Sequence, residues 1–273
     1  MKTKIIAEIG LNHNGDIAIA RRLIDAAAEA KVDSVKFQTF VPEKLISVSQ
    51  TETQNQLDVL RRLALSECDF YLLADYCSSR GVEFLSSPLD EESIDALQRL
   101  DISTWMVPPE QITDYPYLVK IAQTEKPVIL SIGMSPLDEI GGALSVLTSN
   151  GLAKEQITLL YGASEHPVPY SSVNLKAMKH LGEIFDVKAG YSDYTEGTAV
   201  AVAAVAMGAT VVEKYFTLDR QTEGTYHNAS IEPGELKQMV ASVRAVEQVM
   251  GNEIIRPFAV EDDNVLMLRK SIV

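Results

Sequence analysis

Cysteine, tryptophan and histidine are scarce in this 273-residue chain, and the scarcity closes off several kinds of chemistry. The two cysteines, Cys68 and Cys77, fall in one expected helix with no zinc-site spacing around them. They read as reduced thiols of a cytoplasmic protein. The four histidines, His13, His166, His180 and His227, never show the His-x-x-x-His spacing of a helical metal site. No apolar run reaches the ~18 to 20 residues that span a bilayer. The N-terminus enters a strand-like Ile5-Ile6-Ala7 without a secretory apolar region. Basic residues number 24 against 38 acidic ones, a net charge of −14. Without a basic stripe, neither nucleic acid nor an anionic membrane is expected as partner. An anionic small molecule would need local lysines or arginines to overcome the general negative field.

What is present is a regular alternation. Short apolar, β-rich runs lie near Lys4–Glu8, Ser34–Phe37, Glu83–Ser86, Thr104–Val107, Val128–Ser131, Thr158–Tyr161, Val187–Gly190 and Thr210–Lys214. Helical stretches follow them near Ala18–Lys31, Thr53–Ser79, Glu92–Arg99, Tyr115–Gln123, Leu137–Ser149, Asn174–Leu181, Glu196–Met207 and Pro233–Met250. Eight β-then-α units predict a parallel sheet closed into a (β/α)8 TIM barrel over residues 1–255. An open doubly wound sheet is the alternative, but no glycine-rich nucleotide turn is found. Residues 256–273 read as a C-terminal tail.

Barrels of this kind collect function at the C-terminal ends of their strands. Nine polar residues there, Glu8, Lys36, Gln38, Ser87, Ser131, Ser164, Ser192, Asp193 and Glu213, are expected to point toward one mouth. Taken singly, each is better explained as a strand-end polar group capping a loop. Lys36 at an apolar barrel mouth can bind phosphate as a point charge or form a Schiff base, and it can equally pair with Glu8 or Glu213. His13 and His166 sit in strand-end loops, where contact with a ligand and a loop-stabilising hydrogen bond are both open. His180 reads as a surface residue.

The segments Glu8–Gly15 (Glu-Ile-Gly-Leu-Asn-His-Asn-Gly), Val35–Thr39, Pro127–Met134, Gly190–Thr195, Ala209–Arg220 and Ala229–Leu236 resemble the catalytic barrel of the sialic acid synthase family. That family includes the N-acetylneuraminate, legionaminic and pseudaminic acid synthases. The resemblance implies condensation of phosphoenolpyruvate with an N-acetylated amino sugar, giving a nonulosonic acid and phosphate. C3 of phosphoenolpyruvate attacks the sugar aldehyde, water adds at C2, and phosphate leaves by C–O cleavage. Carried over, Glu8 acts at the reacting centre, and Lys36, Ser87, Ser131, Ser164 and Ser192 match positions that bind phosphoenolpyruvate.

On the same resemblance, several positions depart from the family. Tyr194 and Tyr215 stand where it has two histidines that hold a divalent metal such as Mn or Mg. Met106 replaces a phosphate-contacting lysine, Pro109 a serine and Gln111 a glutamate. Tyr161-Gly162 replaces a His-Cys pair, and Tyr226 an aspartate near the metal. No metal or other cofactor is therefore expected. Arg269–Val273 resembles the junction to a small antifreeze-like domain that the chain is expected to lack. In the family that domain reaches the partner subunit, and a homodimer is the expected assembly. The reading placed first is a synthase-like enzyme with weak or no metal dependence. The alternatives are a barrel with different metal-free chemistry on a less charged ligand, and a noncatalytic partner subunit.

Overall fold

The structure, a computed structural model, describes residues 2–46, 51–163, 166–252, 254 and 255. The tail at 256–273 lies outside these residues. Eight parallel strands form one sheet: β1 (Lys4–Gly10), β2 (Ser34–Thr39), β3 (Glu83–Pro88), β4 (Trp105–Val107), β5 (Val128–Ser131), β6 (Ile157–Tyr161), β7 (Lys188–Asp193) and β8 (Val211–Tyr215). Their order is β3-β2-β1-β8-β7-β6-β5-β4, so β8 returns to pair with β1 and the sheet curls into a barrel. β3 and β4 lie side by side without a shared ladder. β4 is only three residues long, since Pro108 and Pro109 follow at once and neither carries an N–H for a ladder.

The helices are α1 (Ile17–Glu29), α2 (Pro42–Leu45), α3 (Thr51–Leu63), α4 (Glu67–Arg80), α5 (Glu91–Arg99), α6 (Tyr115–Ala122), α7 (Leu137–Ser149), α8 (Leu175–Phe185), α9 (Ala199–Ala206) and α10 (Pro233–Val249). Asp16 caps α1 by accepting from the Ala18 N–H at 2.6 Å, and Ala20, Leu23, Ile24 and Ala27 form its buried face. The single helix expected over Thr53–Ser79 is two. Ser66 breaks it with a capping box, in which its hydroxyl accepts from the Asp69 N–H while Asp69 accepts from the Ser66 N–H at 2.9 Å. Ser66-x-x-Asp69 is a helix-start signature that outweighs continued helical periodicity.

Strand alternation sorts side chains into two cores. Ile6, Leu85, Met106, Ile129, Leu160 and Val211 point inward and plug the middle of the barrel. Their outward neighbours, Ile5, Ala7, Val35, Phe37 and Leu130 among them, pack under the helices. Gly190 lets the strands approach at the plug, for a Cβ there would lie 2.6 Å from the Val211 carbonyl oxygen. One layer above the plug, the inward positions turn polar.

Asp193 does not follow the expectation placed on it. It is one residue out of phase with Ser192 and faces the helices. There it is fully buried and ion-paired to Lys214 at 2.9 Å, with its other oxygen accepting from Thr195. Lys214 also donates to the Thr195 carbonyl, tying β7 to β8 from outside. Replacing Lys214 with alanine strands a buried carboxylate, so chemical denaturation should report a loss of about 3 to 5 kcal/mol. An unchanged midpoint would mean that this pair does not hold the two strands together.

Candidate active site

At the C-terminal end of the strands lies a cavity of about 640 Å³, within the range of small-molecule sites. Leu160 of the plug is its floor. Glu8 from β1, Lys36 and Gln38 from β2, Ser87 from β3, Ser131 from β5 and Ser192 from β7 line its wall. Tyr194, Tyr215, Tyr226 and His166 line another part of that wall, and Lys44, Pro109, Glu110 and Gln111 stand among the lining residues too. Lys44 and Glu110 carry no sequence signal that marks them for the mouth. Both sit on short segments just beyond strand ends, and only the closed barrel brings them to the mouth.

Of the nine polar residues expected at the mouth, six line the cavity and Glu213 lies directly beneath it, 1% exposed. Asp193 faces away, and Ser164 falls outside the described residues. Met106 belongs to the plug and does not line the cavity. Tyr161 is also out of phase. It packs against the outer core with its ring 6.1 Å from that of Tyr191, while Gly162 after it faces the cavity. A Cβ at Gly162 would meet the Ser192 carbonyl oxygen at 2.6 Å, so no larger residue fits there without a shift.

Lys36 is the electrostatic centre. Its ammonium pairs with Glu8 and with Glu213, the latter at 2.5 Å, and all three side chains are nearly closed to solvent. Glu213 is further satisfied through its other oxygen, which accepts from Ser192 Oγ at 2.8 Å and Tyr194 Oη at 3.0 Å. Glu8 is not: its Oε1 is buried at the cavity wall and has no hydrogen-bond partner among the described residues. The backbone makes room for it. Gly10 sits at a register shift of β1 against β2 with φ +52, and a Cβ there would lie 2.9 Å from Glu8 Oε1.

Tyr194, Tyr215 and Tyr226 form a stack. The centroids of Tyr194 and Tyr215 are 4.6 Å apart at 26°, and those of Tyr215 and Tyr226 are 4.7 Å apart at 11°. His166 stands edge-on to all three rings, closest to Tyr194 at 4.3 Å. Burial pushes the phenol pKa of each tyrosine above its ordinary value, and it lowers that of His166. The wall is thus neutral near pH 7.

These residues do not fit the divalent cation that the resemblance implies. A cation of this kind takes neutral imidazole or carboxylate ligands, whereas these phenols keep their protons. Tyr194 already donates to Glu213, and the stacked rings occupy the space between the two positions. Among the described residues, no three of His, Cys, Asp and Glu converge as a metal site.

His13 makes a loop-stabilising hydrogen bond. It is buried, its Nδ1 accepts from the Gly15 N–H at 3.0 Å, and burial lowers its pKa to about 4. His227 is likewise buried in the β8 loop, with Nδ1 2.6 Å from Thr217 Oγ1. His180 is exposed on α8, as expected of a surface residue.

A parallel (β/α)8 barrel with ionisable groups gathered over its C-terminal mouth has the layout of a barrel enzyme. Comparison with known proteins makes this particular: a model of the NeuB family matches residues 23–255. The chain belongs to the NeuB family. It is 42% identical over 282 residues to the N,N'-diacetyllegionaminic acid synthase of Campylobacter jejuni, covering 100% of this chain and 84% of that one. It is 33% identical over 258 residues to the human (Homo sapiens) N-acetylneuraminate-9-phosphate synthase, covering 91% and 71%. Among solved structures, the N-acetylneuraminic acid synthetase of Leptospira borgpetersenii, in complex with citrate, superposes with a TM-score of 0.89 at 29% identity, covering 98% of this chain and 91% of that one.

Two outcomes test this description. Calorimetric titration with Mn²⁺ should show no stoichiometric site in the native protein, while the Tyr194→His, Tyr215→His double variant gains one; tight binding to the native chain would overturn the description of the stack. The second concerns pH. His13 is neutral when folded and protonates near 6.5 when unfolded, so the unfolded state binds the extra proton first. Stability is therefore complete above about pH 6.5 and falls toward pH 4, by on the order of 3 kcal/mol in all. Denaturation midpoints for a His13→Asn variant should lack that part of the slope.

Proposed function

We propose that the chain condenses phosphoenolpyruvate with an N-acetylated amino sugar, giving a nonulosonic acid and phosphate, with weak or no dependence on a divalent metal. The observation that carries this reading is the mouth itself. Lys36, Ser87, Ser131 and Ser192, which match the phosphoenolpyruvate positions of the sialic acid synthases, line one cavity together with Glu8. Relatives named as legionaminic and N-acetylneuraminate-9-phosphate synthases support the same chemistry. They favour it over a barrel with unrelated chemistry or a noncatalytic partner.

Each residue has a task in this reading. Lys36 offers a point charge to the anion and keeps the carboxylates of Glu8 and Glu213 in place. The hydroxyls of Ser87 and Ser131 donate to phosphate or carboxylate oxygens, with Ser164 assigned to the same set, while Ser192, whose proton goes to Glu213, borders the anion and holds that carboxylate in place. The unpartnered Oε1 of Glu8 can accept a proton from water or a hydrogen bond from a sugar hydroxyl. Gln38 supplies a neutral amide beside them. We include a homodimer in the proposal.

Phosphate release from phosphoenolpyruvate, assayed with N-acetylmannosamine and related amino sugars, is the direct test. Release should persist in excess chelator, and its abolition by chelator would contradict the metal part of the proposal. Lys36→Ala should slow release at low phosphoenolpyruvate by roughly 10- to 100-fold, the size of one lost charged contact of about 1.5 to 3 kcal/mol.

A further inference from the structure

We propose that the hydroxyls of Tyr215 and Tyr226 receive the carbonyl oxygen of the acceptor sugar and stabilise it by hydrogen bonding as negative charge builds there. This rests on the function proposed above. It answers what that proposal leaves open: what polarises the carbonyl in a mouth whose donor set does not suit a cation.

One hydroxyl of the stack is already committed. Tyr194 donates to the buried carboxylate of Glu213 and is held there. Among the described residues neither Tyr215 nor Tyr226 bonds to a carboxylate; their rings stack 4.7 Å apart, the Tyr215 hydroxyl lies within reach of those of Tyr226 and Tyr194, and the Tyr226 hydroxyl also reaches Gln38. Both residues line the cavity. They share it with Glu8, and the Tyr215 ring edge approaches the same Gly10 position that opens space for Glu8 Oε1. A carbonyl group placed beside them would draw both hydroxyls onto its oxygen, in exchange for the contact they make with each other, with Glu8 near its carbon.

The donors are also rigid. The Tyr215 and Tyr226 rings are nearly parallel, at 11°, and His166 closes their edges. Donors held still before reaction cost nothing in reorganisation as charge develops, which is the source of oxyanion stabilisation in acyl-transfer sites. Phenols also avoid adding fixed charge to a region where two carboxylates already share one ammonium.

The step balances as follows. C3 of the enolpyruvate bonds to the carbonyl carbon, and the C=O π pair moves onto the oxygen under the two phenol hydroxyls. Water adds at C2 and gives up one proton to Glu8, which passes it to the new alkoxide. The hemiketal then collapses, the C2–O bond to phosphate breaks, and the hemiketal proton leaves with the phosphate. No oxidant, reductant or further co-reactant is needed.

The test uses Tyr215→Phe and Tyr226→Phe in the full chain, since each removes one oxygen and leaves the ring stack in place. The expected result is a fall in kcat of about 10- to 100-fold for each. KM for phosphoenolpyruvate, its calorimetric affinity without sugar, and the melting temperature should stay near those of the native protein. Equal kcat in the native protein and both variants would overturn the role of the hydroxyls while leaving the proposed function standing. Loss of phosphoenolpyruvate affinity, or of folding, in parallel with kcat would reassign both tyrosines to structural support. A native protein that releases no phosphate with any amino sugar tried would bring down both proposals.

Discussion

Lys36 holds two carboxylates, Glu8 and Glu213, in a place where water scarcely reaches them. Either carboxylate alone would be costly to bury, and one ammonium between them only partly offsets that cost. Glu213 makes up its share through Ser192 and Tyr194, which couples β2, β7 and β8 at the barrel head. Glu8 has no such help, and an acceptor is left facing the cavity. Binding at this mouth is therefore a redistribution. On the proposed function, an arriving anion would compete for Lys36, and a donor on an arriving sugar would supply the bond Glu8 Oε1 has open.

The tyrosine stack belongs to the same arrangement. Tyr194 at one end of it helps satisfy Glu213, and Tyr215 and Tyr226 continue it as the neutral part of the wall. In a chain of net charge −14, a mouth that must accept anions gains by replacing carboxylate with phenol. Tyr226, whose phenol keeps its proton, adds no negative charge to the cavity wall.

Much of this was legible in the sequence because the barrel is a repeated local pattern. Each strand expected from its apolar run is present, with ends shifted by a few residues. The errors have a common cause. Asp193 and Tyr161 each follow an inward residue by one position, and polarity alone does not reveal the phase of a strand whose two faces are both buried. Met106, which on the resemblance takes the place of a phosphate-contacting lysine, points inward from the plug one layer below the mouth. The break before Ser66 was readable from its capping box and was overlooked within a long amphipathic run. The stacking of Tyr226 and His166 on Tyr215 was not readable at all, since loops distant in sequence meet only when the barrel closes.

The missing ladder between β3 and β4 has a mechanical meaning. Everywhere else around the barrel, main-chain hydrogen bonds resist separation of neighbouring strands. At this seam only side-chain packing and a few side-chain bridges do so, such as Tyr117 to the Pro88 carbonyl and Gln111 to that of Leu89. The cylinder is a split ring, and a split ring under load opens at its gap. Ser87 and Pro108 flank that gap and also line the cavity, so on this side the mouth is bounded by packed side chains, and on the opposite side by hydrogen-bonded strands with their ion pairs and aromatic rings.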